Sequence, residues 1–296
     1  MLGVPSLGAL DSMTDLWQDV WNGTELALYV EFGDFHVGVD DFLEPLMTET
    51  TAVVLAAGKG TRMKSELPKV LFPVLGRAMI HWVLDALQSA GIRQIIVVVG
   101  YRAELVKQEL GGRGVDFALQ KEQLGTGHAV QMCKPQLEKG DKPVLVVAGD
   151  SPMIQASSVR ELIEEFETGG FGCLLRTLIK ENPYGLGRIV RDAQHQFSRI
   201  VEHKDASLEQ LQIGEVNMST YLFDRPSLLW ALDNLQNNNS QSEYYLTDCP
   251  ELLLKNGRKV DARPVLKACE SLSINTIDEL AMVESKMREM GYQCAS

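Results

Sequence analysis

A loop of small residues, 55–63, holds the side chains whose types and spacing most directly suggest chemistry. Its first six residues read Leu-Ala-Ala-Gly-Lys-Gly. Small side chains let a ligand approach the backbone, and consecutive N–H groups in such a loop can form a concavity that binds an anion. The loop therefore indicates a site for phosphate groups.

Three cations accompany this loop, as bound phosphates would require: Lys59, Arg62 and Lys69. The alternative is a tight turn between a strand and a helix, with solvated charges. The segment is not a P-loop, because it lacks the order Gly-x-x-x-x-Gly-Lys-Ser/Thr. Met63 stands where a dinucleotide-binding motif has its third glycine.

The elements around the loop must position it. The apolar, β-branched run 51–55 predicts a buried strand, and apolar residues at helical spacing in 78–87 predict a helix. Further apolar runs at 95–99, 115–119 and 144–148 predict strands, and helices are predicted at 103–110, 156–167, 228–235 and 243–254. This alternation predicts an α/β fold with a parallel sheet covered on both faces. Ligands of such sheets bind outside the carboxyl ends of the strands, where the loop lies.

Residues 55–63 followed by Pro68-Lys69 resemble the signature of the sugar-1-phosphate nucleotidyltransferases. The resemblance is strongest to the uridyltransferase domain of the bifunctional N-acetylglucosamine-1-phosphate uridyltransferases. It implies a Rossmann-like, mostly parallel sheet with helices on both faces, the nucleotide-diphospho-sugar transferase fold. It also implies that Arg62 and Lys69 neutralise the phosphates of a nucleoside triphosphate. The loop residues that it places against the nucleotide are Leu55, Ala56, Ala57 and Gly58.

A second loop, 120–128, reads Gln-Lys-Glu-Gln-Leu-Gly-Thr-Gly-His. The amide of Gln120 offers a donor and an acceptor that suit a pyrimidine edge. Thr126 could instead cap the following helix. The loop is nearly identical to the uridine-binding loop of the same family, which implies that Gln120, Gly125 and Thr126 contact uracil. We expect His128 to be structural.

Asp150 follows the apolar run 144–148, at the tip of a predicted central strand. A carboxylate there can hold a hard cation that bridges phosphates, whereas the alternative is that Asp150 caps the next helix. The resemblance implies that Asp150 binds Mg²⁺ and that Gly149 contacts the sugar. The relatives have Tyr-Gly-Asp where this chain has Ala148-Gly149-Asp150, so one contact near the sugar or ribose differs.

Four later residues resemble the family positions that hold an amino-sugar: Gly187, Glu202, Asn217 and Tyr245. A carboxylate accepts hydrogen bonds from sugar hydroxyls, and a side-chain amide both donates and accepts. The alternative is that these are ordinary solvated groups of strands and turns. The relatives follow the asparagine with Thr-Gly, whereas this chain has Met218-Ser219. The sequence thus departs from the family pattern on the sugar side.

Asn275 aligns with the second protein ligand to the metal in this family, and an amide oxygen is an acceptable ligand for Mg²⁺. By itself it would be interpreted as the N-cap of a closing helix at 277–290. No hexapeptide repeat follows of the kind that carries acetyl transfer in the bifunctional relatives. We therefore expect a stand-alone nucleotidyltransferase domain over residues 47–296.

Residues 1–46 differ from the rest of the chain, since they contain nine acidic residues and no lysine or arginine. The absence of basic residues argues against a secretory or organellar targeting peptide. Two interpretations remain open for this segment: a lineage-specific acidic extension, or an upstream start codon wrongly assigned.

Composition restricts the partners. The net charge of −12 argues against a broad basic surface for nucleic acid, and no apolar run approaches the length of a membrane span. The five cysteines lack metal-type spacing, so we expect reduced thiols. These features favour a cytoplasmic enzyme without a nucleic-acid or membrane partner, and they do not determine an oligomeric state.

The most direct interpretation is an enzyme that joins UTP to N-acetylglucosamine 1-phosphate, with Mg²⁺ as cofactor, giving UDP-N-acetylglucosamine and pyrophosphate. One alternative is another sugar 1-phosphate or nucleotide. A second is a non-catalytic regulator that binds a nucleotide sugar. The missing third glycine disfavours a dinucleotide-dependent oxidoreductase.

Overall fold

The computed structural model describes residues 30–32, 35–37, 48–60, 63, 65–274 and 276–294. The chain divides into two compact units, Met1–Met47 and Thr48–Ser296. In the first unit, the described residues pair as two antiparallel strands, β1 (Val30–Phe32) and β2 (Phe35–Val37). The other residues of the predicted extension, 1–46, lie outside the described part of the chain.

The second unit is built on one large sheet, to which nine strands of the described residues contribute. A separate short hairpin consists of β4 (Pro73–Val74) and β5 (Arg77–Ala78). The strands of the large sheet are β3 (Thr48–Ala56), β6 (Ile92–Val99), β7 (Asp116–Leu119), β8 (Val144–Ala148), β9 (Cys173–Ile179), β10 (Arg188–Arg191), β11 (Phe197–Val201), β12 (Glu215–Phe223) and β13 (Val260–Arg263).

The centre of the sheet is parallel. Strands β7, β6, β3 and β8 lie side by side in that order and run in one direction. Beyond β8 the sheet continues with antiparallel β12, which also pairs with β9 and β10. The chain passes from β3 to β6 and β7 on one side and returns to β8 on the other. The boundary between β3 and β8 is therefore a topological switch point, where ligands of such sheets bind.

Helices cover both faces of the sheet because alternate residues of each central strand point to opposite sides. The helices are α1 (Met79–Ser89), α2 (Ala103–Glu109), α3 (Thr126–Gln131), α4 (Lys134–Leu137), α5 (Ala156–Gly169), α6 (Arg225–Asn234), α7 (Cys249–Lys255) and α8 (Ile277–Glu289). Val54 belongs to a core with α1, α2 and α5, and its neighbour Val53 belongs to a core with α3, α6 and α7. The predicted α/β architecture is confirmed.

One predicted boundary is wrong. The sequence predicts a helix that starts at Glu243, whereas the structure has a 3₁₀ turn at Leu246–Asp248 and begins α7 at Cys249. The reason is that the backbone of Tyr244 is engaged elsewhere. Its N–H donates to the carbonyl of Leu124 and its carbonyl accepts from the N–H of Gly127, each over 2.8 Å.

All five cysteines carry free thiols, as their spacing predicts. Burial raises the pKa of the Cys133 thiol to about 12, so that this group stays neutral. Within the described ranges, no helix has the length and apolar character that crossing a bilayer requires.

Candidate functional site at the switch point

An open crevice of about 360 Å³ lies outside the carboxyl ends of β3 and β8. It joins the first loop, the 120–128 loop and the tip of β8, which are far apart in sequence. Its lining residues are Leu55, Ala56, Ala57, Gly58, Lys69, Val70, Gln120, Gln123, Gly125, Thr126, Ala129, Ala148, Asp150, Ser219 and Glu243. Arg62 and Asn275, both predicted site residues, lie outside the described part of the chain.

The glycines of the first loop have different uses. A side chain added at Gly58 would meet no atom within 4 Å, so the backbone there is open to the crevice. Gly60 has φ +66°, and an added Cβ would lie 2.6 Å from the Cβ of Lys69. The missing side chain of Gly60 thus makes room for the stem of Lys69 rather than for a ligand, and it helps to place that cation.

Lys69 forms an ion pair with Asp150 across the crevice. The side chains are 12% and 27% exposed, so both charges are partly shielded from water. By contrast, the ammonium of Lys59 lies 5.3 Å from the ring centre of Tyr101 and does not line the crevice. Of Lys59 and Lys69, Lys69 is therefore the cation placed to meet a phosphate.

Asp150 does not cap the following helix, since the N-cap residue of α5 is Gln155. Its main-chain carbonyl accepts a hydrogen bond from the N–H of Ile274 over 3.3 Å. The segment before α8 therefore returns to the crevice, as a second ligand at the next residue, Asn275, would require. We expect the side-chain oxygens of Asp150 and Asn275 to lie within roughly 6 Å of each other, about two Mg–O bonds plus slack.

Gly149 does not line the crevice. Its N–H donates to the carbonyl of Leu55 over 2.9 Å, and an added Cβ would lie 2.9 Å from the same oxygen. A larger residue would push the end of β8 away from β3. The close packing of β8 against β3 therefore explains why residue 149 is a glycine, independently of any sugar contact.

The buried amide of Gln120 has a defined orientation. Its Nε2 donates to the carbonyl of Gly125 over 3.0 Å and contacts Nδ1 of His128 at 3.1 Å. Because a carbonyl can only accept, the amide nitrogen must face Gly125 and the oxygen Oε1 must face away. His128 has the structural role that we expected, since it holds this amide in place.

The 120–128 loop is fastened to the segment 243–246. The hydroxyl of Thr126 accepts from the N–H of Leu246 over 3.1 Å, so Thr126 does not cap α3. Gly125 has φ +108°, and an added Cβ would lie 2.5 Å from the carbonyl oxygen of Tyr244. Glycine is needed at this position because the two segments pack backbone to backbone.

Three of the predicted sugar residues meet in a cluster next to the crevice. A Cβ added at Gly187 would lie 3.6 Å from Cβ of Asn217 and 3.7 Å from Oε1 of Glu202. Glu202 accepts a hydrogen bond from the hydroxyl of Thr247 over 3.0 Å. Gly187 directly precedes β10, Glu202 directly follows β11, and Asn217 lies near the start of β12. They do not line the crevice, but Ser219 and Glu243 connect the two regions.

Tyr245, the fourth predicted sugar residue, uses its hydroxyl for internal bonds. It donates to Oδ2 of Asp205 over 3.2 Å and accepts from Nε2 of Gln241 over 2.6 Å. The ring is 6% exposed. Tyr245 thus fixes the segments around the sugar cluster, and the structure does not place its hydroxyl in the crevice.

Several carboxylates surround this cluster, and two of them act on the pKa of Glu202. Burial raises the pKa of the Glu202 carboxyl, which accepts from Thr247; this hydrogen bond lowers the pKa, while the charges of Asp205 and Glu243 raise it. The region is therefore rich in acceptors for hydroxyl groups.

Asp248 should make stability depend on pH. Burial, with help from Glu251, Glu202 and Asp205, raises its pKa from 3.8 to about 6. A raised carboxyl pKa stabilises the fold at low pH, and this contribution is lost as pH rises through about 6. We expect Asp248→Asn, which cannot ionise, to gain stability relative to the wild type as the pH rises from about 4 to about 6, and to keep a constant advantage above that pH. Urea denaturation of both proteins measures this, and a difference that does not change with pH would contradict the shift.

Sequence reasoning missed six lining residues of the crevice: Val70, Gln123, Ala129, Ala148, Ser219 and Glu243. Gln123 belongs to the loop already identified, and Ala148 precedes Gly149-Asp150, so both could have been inferred. Glu243 stands where the sequence predicts the start of a helix. The position of Ser219 depends on a local irregularity in the pairing of β12 with β9, which cannot be predicted from the sequence of β12.

Known proteins resemble this chain over most of its length. "Bifunctional protein GlmU" of Geobacillus sp. (strain WCH70) is 45% identical over 243 residues, which cover 82% of this chain and 53% of that protein. The protein of the same name from Clostridium tetani (strain Massachusetts / E88) is 44% identical over 238 residues, 80% and 52% of the two chains. The chain spans about half the length of these curated relatives.

A solved structure supports the fold. The crystal structure of a putative glucose-1-phosphate thymidylyltransferase from Bacillus anthracis, in complex with a sucrose, superposes with a TM-score of 0.66. It is 20% identical, and the match covers 82% of this chain and 97% of that one. Residues 52–206 also match the family model described as the MobA-like NTP transferase domain. That range is just over half of the 296 residues, and the chain belongs to this NTP transferase family.

Proposed function

We propose that the chain transfers the uridylyl group of UTP to N-acetylglucosamine 1-phosphate and releases pyrophosphate. The observation that carries this proposal is the composition of one crevice. It joins an oriented amide acceptor at Gln120, the Lys69–Asp150 pair, and a carboxylate-rich cluster beyond Ser219. These suit a nucleobase, phosphates and sugar hydroxyls, respectively.

The orientation of Gln120 favours uracil over cytosine. Both amide hydrogens are directed at Gly125 and His128, which leaves Oε1 as the group for a ligand. Uracil carries an N–H at ring position 3, which can donate to this oxygen, whereas cytosine has a lone pair there. A cytosine in the same pose would place its N3 lone pair against Oε1 of Gln120. Two acceptors facing each other in a buried position cost binding free energy.

The Lys69–Asp150 pair suits a metal-assisted phosphoryl transfer. Among the described residues, no three His, Cys, Asp or Glu side chains form a metal-binding group. Mg²⁺ fits the donors nonetheless, because it needs only one or two protein oxygens and takes the rest from water and phosphates. Asp150, with Asn275, would hold it, and it would supply charge neutralisation at the phosphates. The triphosphate would attract Lys69 away from Asp150 and thereby release the carboxylate.

The reaction proposed here is an in-line displacement. A phosphate oxygen of the sugar 1-phosphate forms a bond to the α-phosphorus of UTP, and the bond from that phosphorus to the oxygen bridging to the β-phosphorus breaks. The electron pair leaves with pyrophosphate. Lys69 and Arg62 would stabilise the charge that develops on the phosphate oxygens, and the crevice walls would hold the two substrates in line.

A matrix of substrates tests the proposal. Pyrophosphate release is measured for UTP, dTTP, CTP, ATP and GTP, each paired with the 1-phosphates of N-acetylglucosamine, glucosamine and glucose. We expect UTP with N-acetylglucosamine 1-phosphate to give the highest kcat/KM. A different best pair would replace the proposed substrates, and nucleotide binding without turnover for any pair would favour the regulator.

Gln120→Ala should reduce the preference for UTP over CTP by roughly tenfold, because the variant no longer opposes the acceptor at position 3 of cytosine. The measurement is the ratio of kcat/KM for the two nucleotides. Gln136→Ala is the matched control, since Nε2 of Gln136 donates to the carbonyl of Phe117, away from the crevice. If Gln120→Ala discriminates as strongly as the wild type, the amide does not read the base.

A further inference from the structure

Ser219 has an unusual backbone for its residue type. Its φ is +53°, in the left-handed region that favours glycine. It lies in a bulge of β12, where the register against β9 shifts between Asn217 and Thr220. Strained residues of this kind are common at ligand sites, which indicates that Ser219 has a role in binding.

The bulge places Ser219 on the wall of the crevice. Thr220 pairs with Val147 of antiparallel β8, so Ser219 lies beside Ala148, the last residue of that strand. Both Ser219 and Ala148 line the crevice. Ala148 contributes only a methyl group to this wall of the crevice, which Asp150 also lines.

The position of Ser219 is fixed, although its hydroxyl is not engaged. Its N–H donates to Oδ1 of Asn217 over 3.1 Å, and Nδ2 of Asn217 donates in turn to the hydroxyl of Tyr221 over 2.6 Å. Within the described residues, no group hydrogen-bonds to the Ser219 hydroxyl. By comparison, the hydroxyls of Ser158 and Ser227 both donate to carboxylates.

We propose that the Ser219 hydroxyl is a specificity contact for the sugar, made to a hydroxyl or amide group near the phosphate that joins sugar and nucleotide. Ser219 lines the same crevice as Asp150 of the phosphate side, and its N–H is bonded to Asn217 of the sugar cluster. A free hydroxyl on a fixed backbone both donates and accepts, so it can bind either kind of group. This inference rests on the proposed function, since it takes the ligand to be a nucleotide sugar.

The two departures from the family pattern, at 148 and 219, then have one explanation. A glycine at 219 would adopt the left-handed conformation without strain but would offer no hydroxyl. A large side chain at 148 would fill the space in front of it. Where the relatives have a tyrosine and a glycine, this chain has the small Ala148 and the polar Ser219.

Calorimetric titration with UDP and with UDP-N-acetylglucosamine, in the presence of Mg²⁺, tests the contact. UDP lacks the sugar and is the internal reference. Ser219→Ala should weaken binding of UDP-N-acetylglucosamine about 3- to 10-fold, the effect of one neutral hydrogen bond, and leave the Kd of UDP unchanged. Ser219→Gly should show the same loss without a lower Tm, because it removes the strain along with the hydroxyl.

His195→Gly is the matched control. His195 has φ +59° in the turn between β10 and β11, outside the crevice lining, so this variant relieves the same conformation without touching the site. It should bind both ligands as the wild type does. An unchanged Kd for UDP-N-acetylglucosamine in Ser219→Ala, or equal losses for both ligands, overturns the inference alone. A wild-type protein that binds neither ligand overturns the proposed function, and this contact with it.

Discussion

Asp150→Asn is expected to lower turnover on the order of a thousandfold and to leave the thermal transition close to that of the wild type. The amide keeps the shape of the side chain but cannot neutralise a divalent cation. It also cannot form the ion pair that the carboxylate makes with Lys69. Stability changes little because the carboxylate is 27% exposed and such pairs contribute about 1 kcal/mol or less.

Pyrophosphate release with UTP, N-acetylglucosamine 1-phosphate and Mg²⁺ measures the effect, alongside thermal melts. Asp116→Asn is the control, since Asp116 is an exposed residue at the amino end of β7, at the opposite edge of the sheet. Near-full activity of Asp150→Asn would contradict the assignment of this carboxylate to the phosphate site. A large drop in Tm would show that it supports the fold instead.

Lys69→Ala is expected to lower turnover about a hundredfold or more, because the loss of one preorganised charge donor in a shielded site costs about 3 kcal/mol of transition-state stabilisation. The position of this lysine is fixed by Gly60, whose missing side chain accommodates its stem. Lys69→Met separates charge from packing, since it keeps an apolar stem against Gly60. Both variants should lose activity to a similar extent.

Lys59→Ala is the matched control for Lys69. It removes a cation from the same loop, but one that lies over the ring of Tyr101 and outside the crevice. It should keep activity close to that of the wild type. Arg62→Ala, at the remaining cation of the loop, should behave as Lys69→Ala does. If pyrophosphate release is unchanged in Lys69→Ala and Lys69→Met, the lysine has no part in the reaction.

The central strands could be predicted because their sequences are short apolar runs with few competing interpretations. The strand predicted at 144–148 has the observed bounds, and β3 and β6 extend the predicted 51–55 and 95–99 by a few residues. Burial on both faces of a parallel sheet selects such runs. The site loops follow these strands directly, so their common edge was predictable as well.

Contacts between distant segments could not be predicted in this way. The backbone of Tyr244 pairs with the 120–128 loop instead of entering a helix, since each of its polar groups finds a partner there. Gly60 packs against the side chain of Lys69, and a glycine in the sequence does not indicate which residue it will pack against. The bulge at Ser219 arises from the register of β12 against β9, which is a property of the pair of strands.

Helix starts were predicted less well for a related reason. The apolar pattern of α6 suggests a start at Leu228, but the helix begins at Arg225. The side chain of Asp224 accepts from the N–H of Ser227 over 3.1 Å and caps the first turn. Capping depends on polar residues that precede the apolar pattern, so a prediction from periodicity alone begins too late.

The fate of the α-phosphate is a direct test of the proposed uridylyl transfer. UTP labelled at the α-phosphorus is incubated with N-acetylglucosamine 1-phosphate, Mg²⁺ and the wild-type protein, and the products are separated. We expect the label in UDP-N-acetylglucosamine, with one unlabelled pyrophosphate formed for each nucleotide sugar. Label in free UMP, or no labelled nucleotide sugar at all, would contradict the transfer proposed for this crevice.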